Sequence, residues 1–258
     1  MRPSRLKPGQ QTCPLSRVPA VAGLLIAALL DAVWCWGQAR GSWPTQGRSA
    51  WLRRWSKRTL RVMNVRVTAW GSPPATGLLV SNHTGYQDVV VLAAVQPLVF
   101  VAKREEWRWA GCRALARLAG TLFVDREERS DGLRLGVRYA PFVNQGSIVA
   151  VFPEGASSPT GTIQPFHSAL LAPAASVQWP ATPVWIGYAF DDEADETEAH
   201  RSGKSFRSCV LNLLGRRELR AMIIYGDPVS NCRERRLLAR ELHRRVHALA
   251  AEGRRMLD

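Results

Sequence analysis

The chain has 258 residues, enough for one large domain or for one domain with an appended segment. Apolar residues make up 46% and charged residues 22%, which excludes collagen-like, coiled-coil and wholly disordered architectures. Thirty-five Lys and Arg against 21 Asp and Glu leave a net charge of +14, a balance that favours polyanionic partners: nucleic acid, an anionic membrane surface or a phosphorylated substrate.

After a basic start (Arg2, Arg5, Lys7, Arg17) comes an apolar run from Val18 to Leu30, interrupted by Asp31 and resumed as Ala32-Val33-Trp34-Cys35-Trp36. A bilayer span wants about 20 uninterrupted apolar residues. The acid in this run therefore predicts an anchor lying shallowly in the membrane over a clean crossing. A signal peptide ending near Gly37-Gln38-Ala39 is the alternative. From Ala32 through Gln87 there is no Asp or Glu, while Arg40, Arg48, Arg53, Arg54, Lys57, Arg58, Arg61 and Arg66 all fall there. Wound as a helix, Trp51 to Met63 places Arg53, Arg54, Lys57, Arg58 and Arg61 on roughly 140° of arc. The rest of the circumference is apolar. This predicts a basic amphipathic helix in the plane of an interface, with Trp51 and Trp55 near its boundary; an ordinary surface helix packed on its own domain is the alternative. Six of the ten tryptophans lie early in the chain (Trp34, Trp36, Trp43, Trp51, Trp55, Trp70), as an interfacial belt would have them.

From Asn64 the pattern changes to short apolar runs separated by helical stretches. Strands are predicted at Val65 to Ala69, Gly77 to Val80, Leu98 to Ala102, Thr121 to Val124, Ile148 to Phe152, Pro183 to Tyr188 and Ala221 to Tyr225. Helices are predicted near Val89 to Val95, Trp107 to Ala119, Leu133 to Val143, Phe166 to Val177 and Arg233 to Leu257. The last carries Leu238, Leu242, Val246 and Leu249 as a core stripe. Alternation of this kind gives an α/β fold with a mostly parallel central sheet flanked by helices. Residues 1–63 are expected to form an apolar anchor with the basic amphipathic helix, and residues 64–258 the α/β domain. The acidic stretch Asp191 to Glu196 is expected to be a solvated loop.

Ligands in such sheets sit beyond the carboxyl ends of strands, and three polar clusters fall there. The first is Ser81-Asn82-His83-Thr84-Gly85-Tyr86-Gln87-Asp88. On one continuous helix His83 and Asp88 would point about 140° apart, so they meet only if His83 lies in the loop and Asp88 in the first helical turn. A His held by a carboxylate is a general base of fixed tautomer. The other clusters are Val124-Asp125-Arg126 and Phe152-Pro153-Glu154-Gly155-Ala156-Ser157-Ser158. Arg126 is suited to holding a phosphate and Glu154 to accepting hydrogen bonds from a hydroxylated substrate.

These clusters resemble the motifs of the glycerolipid acyltransferase family, from about Asn64 to Tyr188. The Asn-His-x4-Asp hallmark stands as Asn82, His83 and Asp88; the second block resembles Gly120 to Arg126; Phe-Pro-Glu-Gly is Phe152 to Gly155; and Pro183 matches the fourth block. The resemblance implies transfer of a fatty acyl group from a thioester donor, acyl-CoA or acyl carrier protein, to the free hydroxyl of a lysolipid. His83 would take the hydroxyl proton and Asp88 would orient His83. Asn82, Arg126, Phe152, Pro153, Glu154 and Gly155 would line the substrate site. No metal or other cofactor is implied, and there is no Gly-x-Ser-x-Gly elbow for a covalent acyl-enzyme.

The family's third block usually continues Gly-Thr-Arg-Ser, whereas this chain reads Gly155-Ala156-Ser157-Ser158. A basic residue common further on is replaced by Pro165-Phe166-His167-Ser168-Ala169-Leu170. The expected acceptor is 1-acylglycerol-3-phosphate, giving phosphatidic acid, with Arg126 compensating for the missing charge. The alternative acceptor carries no phosphate monoester, such as the lyso-ornithine lipids used by a bacterial branch of the family, which this third block resembles. The expected setting is the cytoplasmic face of the inner membrane. A catalytically silent membrane-lipid-binding protein is the rival reading. Nucleic acid is not an expected partner, since no zinc-finger or aromatic RNA-binding signature accompanies the charge.

Among the remaining features, His243 and His247 have the spacing of a zinc pair, but Arg244 stands where a metalloprotease needs Glu. Two surface histidines are expected. His167 is placed either at the acceptor site or in loop packing. Lys103 and Arg104 would meet a donor phosphate or solvate a helix start. Five cysteines (Cys13, Cys35, Cys112, Cys209, Cys232) without any C-x-x-C spacing argue for neither a disulfide framework nor a zinc site, and for a reducing compartment.

Overall fold

The computed structural model describes residues 17–40, 42–103, 110–125, 132–158, 161–190 and 218–257. Arg104, Arg126 and the acidic stretch Asp191 to Glu196 lie outside them. Helices α1 (Val18–Gln38) and α2 (Thr45–Val62) precede β1 (Val65–Trp70) and β2 (Gly77–Ser81). Then follow α3 (Gln87–Val95), β3 (Val99–Lys103), α4 (Ala110–Leu118), β4 (Leu122–Val124), α5 (Gly132–Val143) and β5 (Ile148–Val151). A 3-10 turn (Ser168–Leu171) runs into α6 (Ala172–Val177). Strands β6 (Ala181–Phe190) and β7 (Leu219–Tyr225) and helix α7 (Arg235–Leu257) close the chain.

The strands form one seven-stranded sheet in the order β1-β7-β6-β2-β5-β3-β4. Every pairing is parallel except β6 with β7. The fold is α/β with a mostly parallel sheet, as the alternation predicted. Both faces are covered, so the inner strands are apolar at almost every position. In β2, Leu78 and Val80 turn to one face with Leu135, Leu171, Leu238 and Leu242, while Leu79 turns to the other with Val91, Leu92 and Leu60. The period-2 alternation of strand side chains produces these two cores from consecutive apolar residues. The predicted stripe on α7 is packed: Leu238, Leu242 and Val246 are buried, and Leu249 is partly so.

At the amino terminus, Asp31 does not interrupt the helix. α1 runs unbroken for 21 residues and is long and apolar enough to cross a membrane by length and composition. The acid is accommodated because Arg54 lies 2.8 Å from its Oδ2 and the Trp55 indole N–H donates to the same oxygen at 2.7 Å. Opposite this contact, Ile26, Leu30, Val33 and Trp34 are exposed.

Helix α2 departs from expectation. Trp51 and Trp55 are not at a bilayer boundary. They are buried with Ala28 and Ala32 of α1 and with Ala119 beyond α4. With its apolar face turned inward, α2 offers solvent its basic edge: Arg54, Lys57, Arg58 and Arg61 are exposed.

Candidate functional site

The four parallel strands β2, β5, β3 and β4 end at one rim of the sheet. The β2 turn and the β5 loop leave from adjacent strands, which brings His83 and Glu154 together. Asn82 continues β2 by one more residue. Its side-chain amide donates to Ile186 O (2.9 Å), and its Oδ1 accepts from Ile186 N (2.8 Å), imitating a ladder step against β6. Both groups of this buried side chain are thus turned to the sheet and away from any substrate.

From this fixed point the chain turns into α3. His83 is in the loop and Asp88 in the first helical turn, where Asp88 N donates to Gly85 O at 3.1 Å. The Asp88 carboxylate is fully buried and accepts five hydrogen bonds. Its Oδ2 receives Thr84 N (2.6 Å), Gly85 N (3.0 Å) and the His83 Nδ1 contact (2.8 Å). Its Oδ1 receives Thr84 Oγ1 (2.8 Å) and the Tyr188 hydroxyl (2.6 Å). Burial pushes the carboxyl upward. The bond and charge of His83, the Tyr188 hydroxyl and the Gly85 N–H outweigh it and hold Asp88 below its ordinary range. An ionised carboxylate only accepts, so Nδ1 is the donor here, and in the neutral ring Nε2 carries the lone pair. Gly85 contributes an N–H rather than backbone freedom, since its φ is outside the left-handed region.

Phe152 stacks on the imidazole with ring centroids 4.3 Å apart and planes at 20°. Glu154, 6% exposed, directs one oxygen to His83 N (2.7 Å) and the other to Gln164 N (2.8 Å). The side chain suggested by sequence as a partner for substrate hydroxyls is therefore a brace between two loops. Burial raises its proton affinity, only partly countered by those two N–H groups. Pro153 O accepts His167 N at 2.8 Å, and Ser158 N donates to His83 O at 2.9 Å. Gly155 has φ +80, a left-handed turn that favours glycine and sends the loop past the ring. Arg126, expected at the same rim, lies outside the described residues.

His83 opens onto a cavity of about 370 Å³. Its walls come from α1 (Val21, Leu24, Ala28), α2 (Trp51, Trp55, Leu60), α3, β3 and the end of α4, and they are almost wholly apolar. Among the described residues no Lys or Arg lines it. Elsewhere, His167 is exposed and outside the cavity lining. His243 is not a surface residue as expected but half-buried, edge-on to Phe166 (5.1 Å) and to His247 (4.5 Å). Sequence reasoning missed two contributors. Tyr188 was visible only as strand, and Thr84 only as loop. For Tyr188 the available signal was a phenolic hydroxyl on a central strand, which needs a partner when buried.

A family model described as Acyltransferase matches residues 65–187. A lyso-ornithine lipid O-acyltransferase of Pseudomonas aeruginosa is 31% identical over 184 residues, covering 70% of this chain and 71% of that protein. A 1-acyl-sn-glycerol-3-phosphate acyltransferase of Neisseria gonorrhoeae is 31% identical over 93 residues, 36% of each chain. In structure the chain is similar to the 1-acyl-sn-glycerophosphate acyltransferase PlsC of Thermotoga maritima, with a TM-score of 0.61 at 18% identity, covering 93% of this chain and 95% of that one.

Proposed function

The chain belongs to the glycerolipid acyltransferase family and is an acyltransferase, and on that premise we propose that it acylates the free hydroxyl of a lysolipid without a phosphate monoester, the class to which lyso-ornithine lipid belongs. The observation that carries this reading is the imidazole itself. His83 has Nδ1 tied to a buried carboxylate and opens onto an apolar cavity suited to a lipid chain. The missing arginine at Ala156-Ser157-Ser158 and the name of the Pseudomonas relative support the same acceptor.

His83 Nε2 takes the proton of the lysolipid hydroxyl as its oxygen attacks the thioester carbonyl carbon of acyl-CoA or acyl carrier protein. The imidazolium so formed faces the Asp88 carboxylate. When the carbon–sulfur bond breaks, the proton passes to the leaving thiolate, giving the acylated lipid and the free thiol. The apolar cavity holds an acyl chain beside the ring. Phe152 keeps the imidazole in plane. Asn82, Glu154, Pro153 and Gly155 shape the turn and loop that carry it, and Arg126 serves a charged group of a substrate.

Residues 1–63 act as the membrane-associating segment and residues 64–258 as the catalytic part. The exposed apolar face of α1 beside the basic edge of α2 suits the anionic cytoplasmic leaflet. A second reading, 1-acylglycerol-3-phosphate as acceptor, is favoured by the net charge of +14 and by the Neisseria relative.

The test is the purified protein offered lyso-ornithine lipid and 1-acylglycerol-3-phosphate, each with acyl-CoA and with acyl carrier protein, products read by mass. Acylated ornithine lipid is expected from the parent and none from His83→Ala. Phosphatidic acid alone would establish the second reading. Equal thiol release by parent and mutant would remove the enzyme assignment to this site.

A further inference from the structure

Four of the five hydrogen bonds on the Asp88 carboxylate come from its own turn, from His83, Thr84 and Gly85. The fifth comes from Tyr188, one hundred residues away on β6. Tyr188 is 5% exposed, packs in the core beneath α3, and does not line the cavity. Two positions earlier on the same strand, Ile186 grips the Asn82 amide. β6 thus holds the turn at both ends, through the Ile186 backbone at Asn82 and through the Tyr188 phenol at Asp88. Phe would meet the packing requirement at 188. What Phe could not supply is the donor to the buried Asp88 carboxylate, which the Tyr188 hydroxyl meets at 2.6 Å.

We infer that Tyr188 is a positioning residue of the acyl transfer, fixing the Asp88 carboxylate against the sheet so that it presents Oδ2 to His83 with Nε2 aimed into the cavity. The inference rests on His83 being the general base. Among the described residues the titratable groups facing this pair are His83 from the turn, Tyr188 from β6 and Glu154 from the β5 loop. Donation by Tyr188 draws charge from the carboxylate and is one of the contacts that keep Asp88 acidic. Without it the carboxylate is both less constrained and more basic, and it stabilises an imidazolium opposite it more strongly.

The test uses the full-length protein with Tyr188→Phe and with 3-fluorotyrosine at 188, whose hydroxyl is the stronger donor. Tyr188→Phe is expected to lower kcat about tenfold, the factor corresponding to one hydrogen bond to a charged group. KM for both substrates should hold, and the acid limb of the kcat/KM profile should move to higher pH. Fluorotyrosine, which leaves the ring packed, is expected to move that limb to lower pH. A Tyr188→Phe protein that fails to fold leaves the fluorotyrosine shift as the deciding measurement. Limbs that stay in place in the variants that fold, with only thermal stability altered, overturn the inference. If His83→Ala is then inactive, the base assignment survives that failure; if His83→Ala is active, both fall together.

Discussion

Replacing Asp88 by Asn separates charge from geometry at this site. Oδ2 faces two backbone N–H groups, Thr84 and Gly85, that cannot turn, whereas Oδ1 faces two hydroxyls, Thr84 and Tyr188, that can. The Asn carbonyl must therefore occupy the Oδ2 place and its NH2 the Oδ1 place, with both hydroxyls rotated to accept. His83 Nδ1–H then still finds an oxygen, and the productive tautomer is retained. What is lost is the anion opposite the imidazolium. For unit charges about 4 Å apart at an effective dielectric of about 20, this amounts to about 4 kcal/mol as an upper bound. The expected loss in kcat is about 10²- to 10³-fold, with KM for the lysolipid near that of the parent. Stability should fall by about 1–3 kcal/mol, because charge-assisted bonds become neutral ones while the burial cost of the charge disappears. Since the folded carboxyl titrates below its unfolded value, its contribution is complete above about pH 4 and is lost as pH drops through the depressed value. The gap between parent and mutant melting temperatures should therefore narrow on acidification. Thiol release monitored continuously gives the kinetics, and scanning fluorimetry the stability. A kcat within tenfold of the parent would refute the electrostatic role; a loss as complete as that of His83→Ala would refute the tautomer argument.

Three further outcomes follow from the same contacts. Glu154→Gln places an NH2 against a backbone N–H at either His83 or Gln164 and should cost about 1–3 kcal/mol at mildly acidic pH. Because burial raises the folded-state proton affinity of Glu154, the parent loses stability as pH rises through that raised value, so the gap should shrink toward neutrality; a gap that widens would contradict it. Ala28→Phe fills the α1 wall of the cavity, and with about 0.8 kcal/mol forfeited per excluded methylene, kcat/KM should fall about fourfold for each carbon beyond the new limit in a series of acyl lengths. A uniform fall across that series would mean the cavity holds no acyl chain. Lys57→Ala with Arg61→Ala should weaken binding to vesicles rich in anionic lipid by roughly 30-fold at low salt, from about 1 kcal/mol per cation, and co-sedimentation insensitive to salt would assign the anchoring to α1 alone.

The sheet and the His83–Asp88 turn were legible because their signals are local. A strand buried on both faces is apolar throughout, and an imidazole five positions before a carboxylate fits one loop leading into one helical turn. Partners far apart in sequence were not legible. Asp31 alone looks like an interruption of an apolar helix; paired with Arg54 and Trp55 it is the contact that docks α1 on α2. Trp51 and Trp55 look like lipid anchors because a buried aromatic and an interfacial one have the same composition, and only the presence of α1 and Ala119 distinguishes them. Asn82 and Glu154 illustrate the same limit within the site. Polar residues in a motif invite a substrate, yet each is engaged with backbone, at Ile186 and at His83 with Gln164 respectively.

On the proposed reaction, a thioester donor and a lysolipid must meet at one imidazole, and these engaged polar groups keep it in place. A general base beside an apolar cavity is exposed to two failures: it can swing into the cavity, or lose its orienting carboxylate to water. The Nδ1 bond to Asp88 and the Phe152 stack prevent the first, on a backbone fixed where His83 N donates to Glu154 and His83 O accepts from Ser158 N. Complete burial of Asp88 in the first turn of α3 prevents the second. Only the imidazole edge remains accessible, with about one fifth of the side chain exposed. Because Val21, Leu24 and Ala28 of α1 form part of the cavity wall, the helix with the exposed apolar face also encloses the space beside the base. Displacing α1 should therefore impair chain binding and membrane association together, whereas severing only the basic edge of α2 should impair association alone.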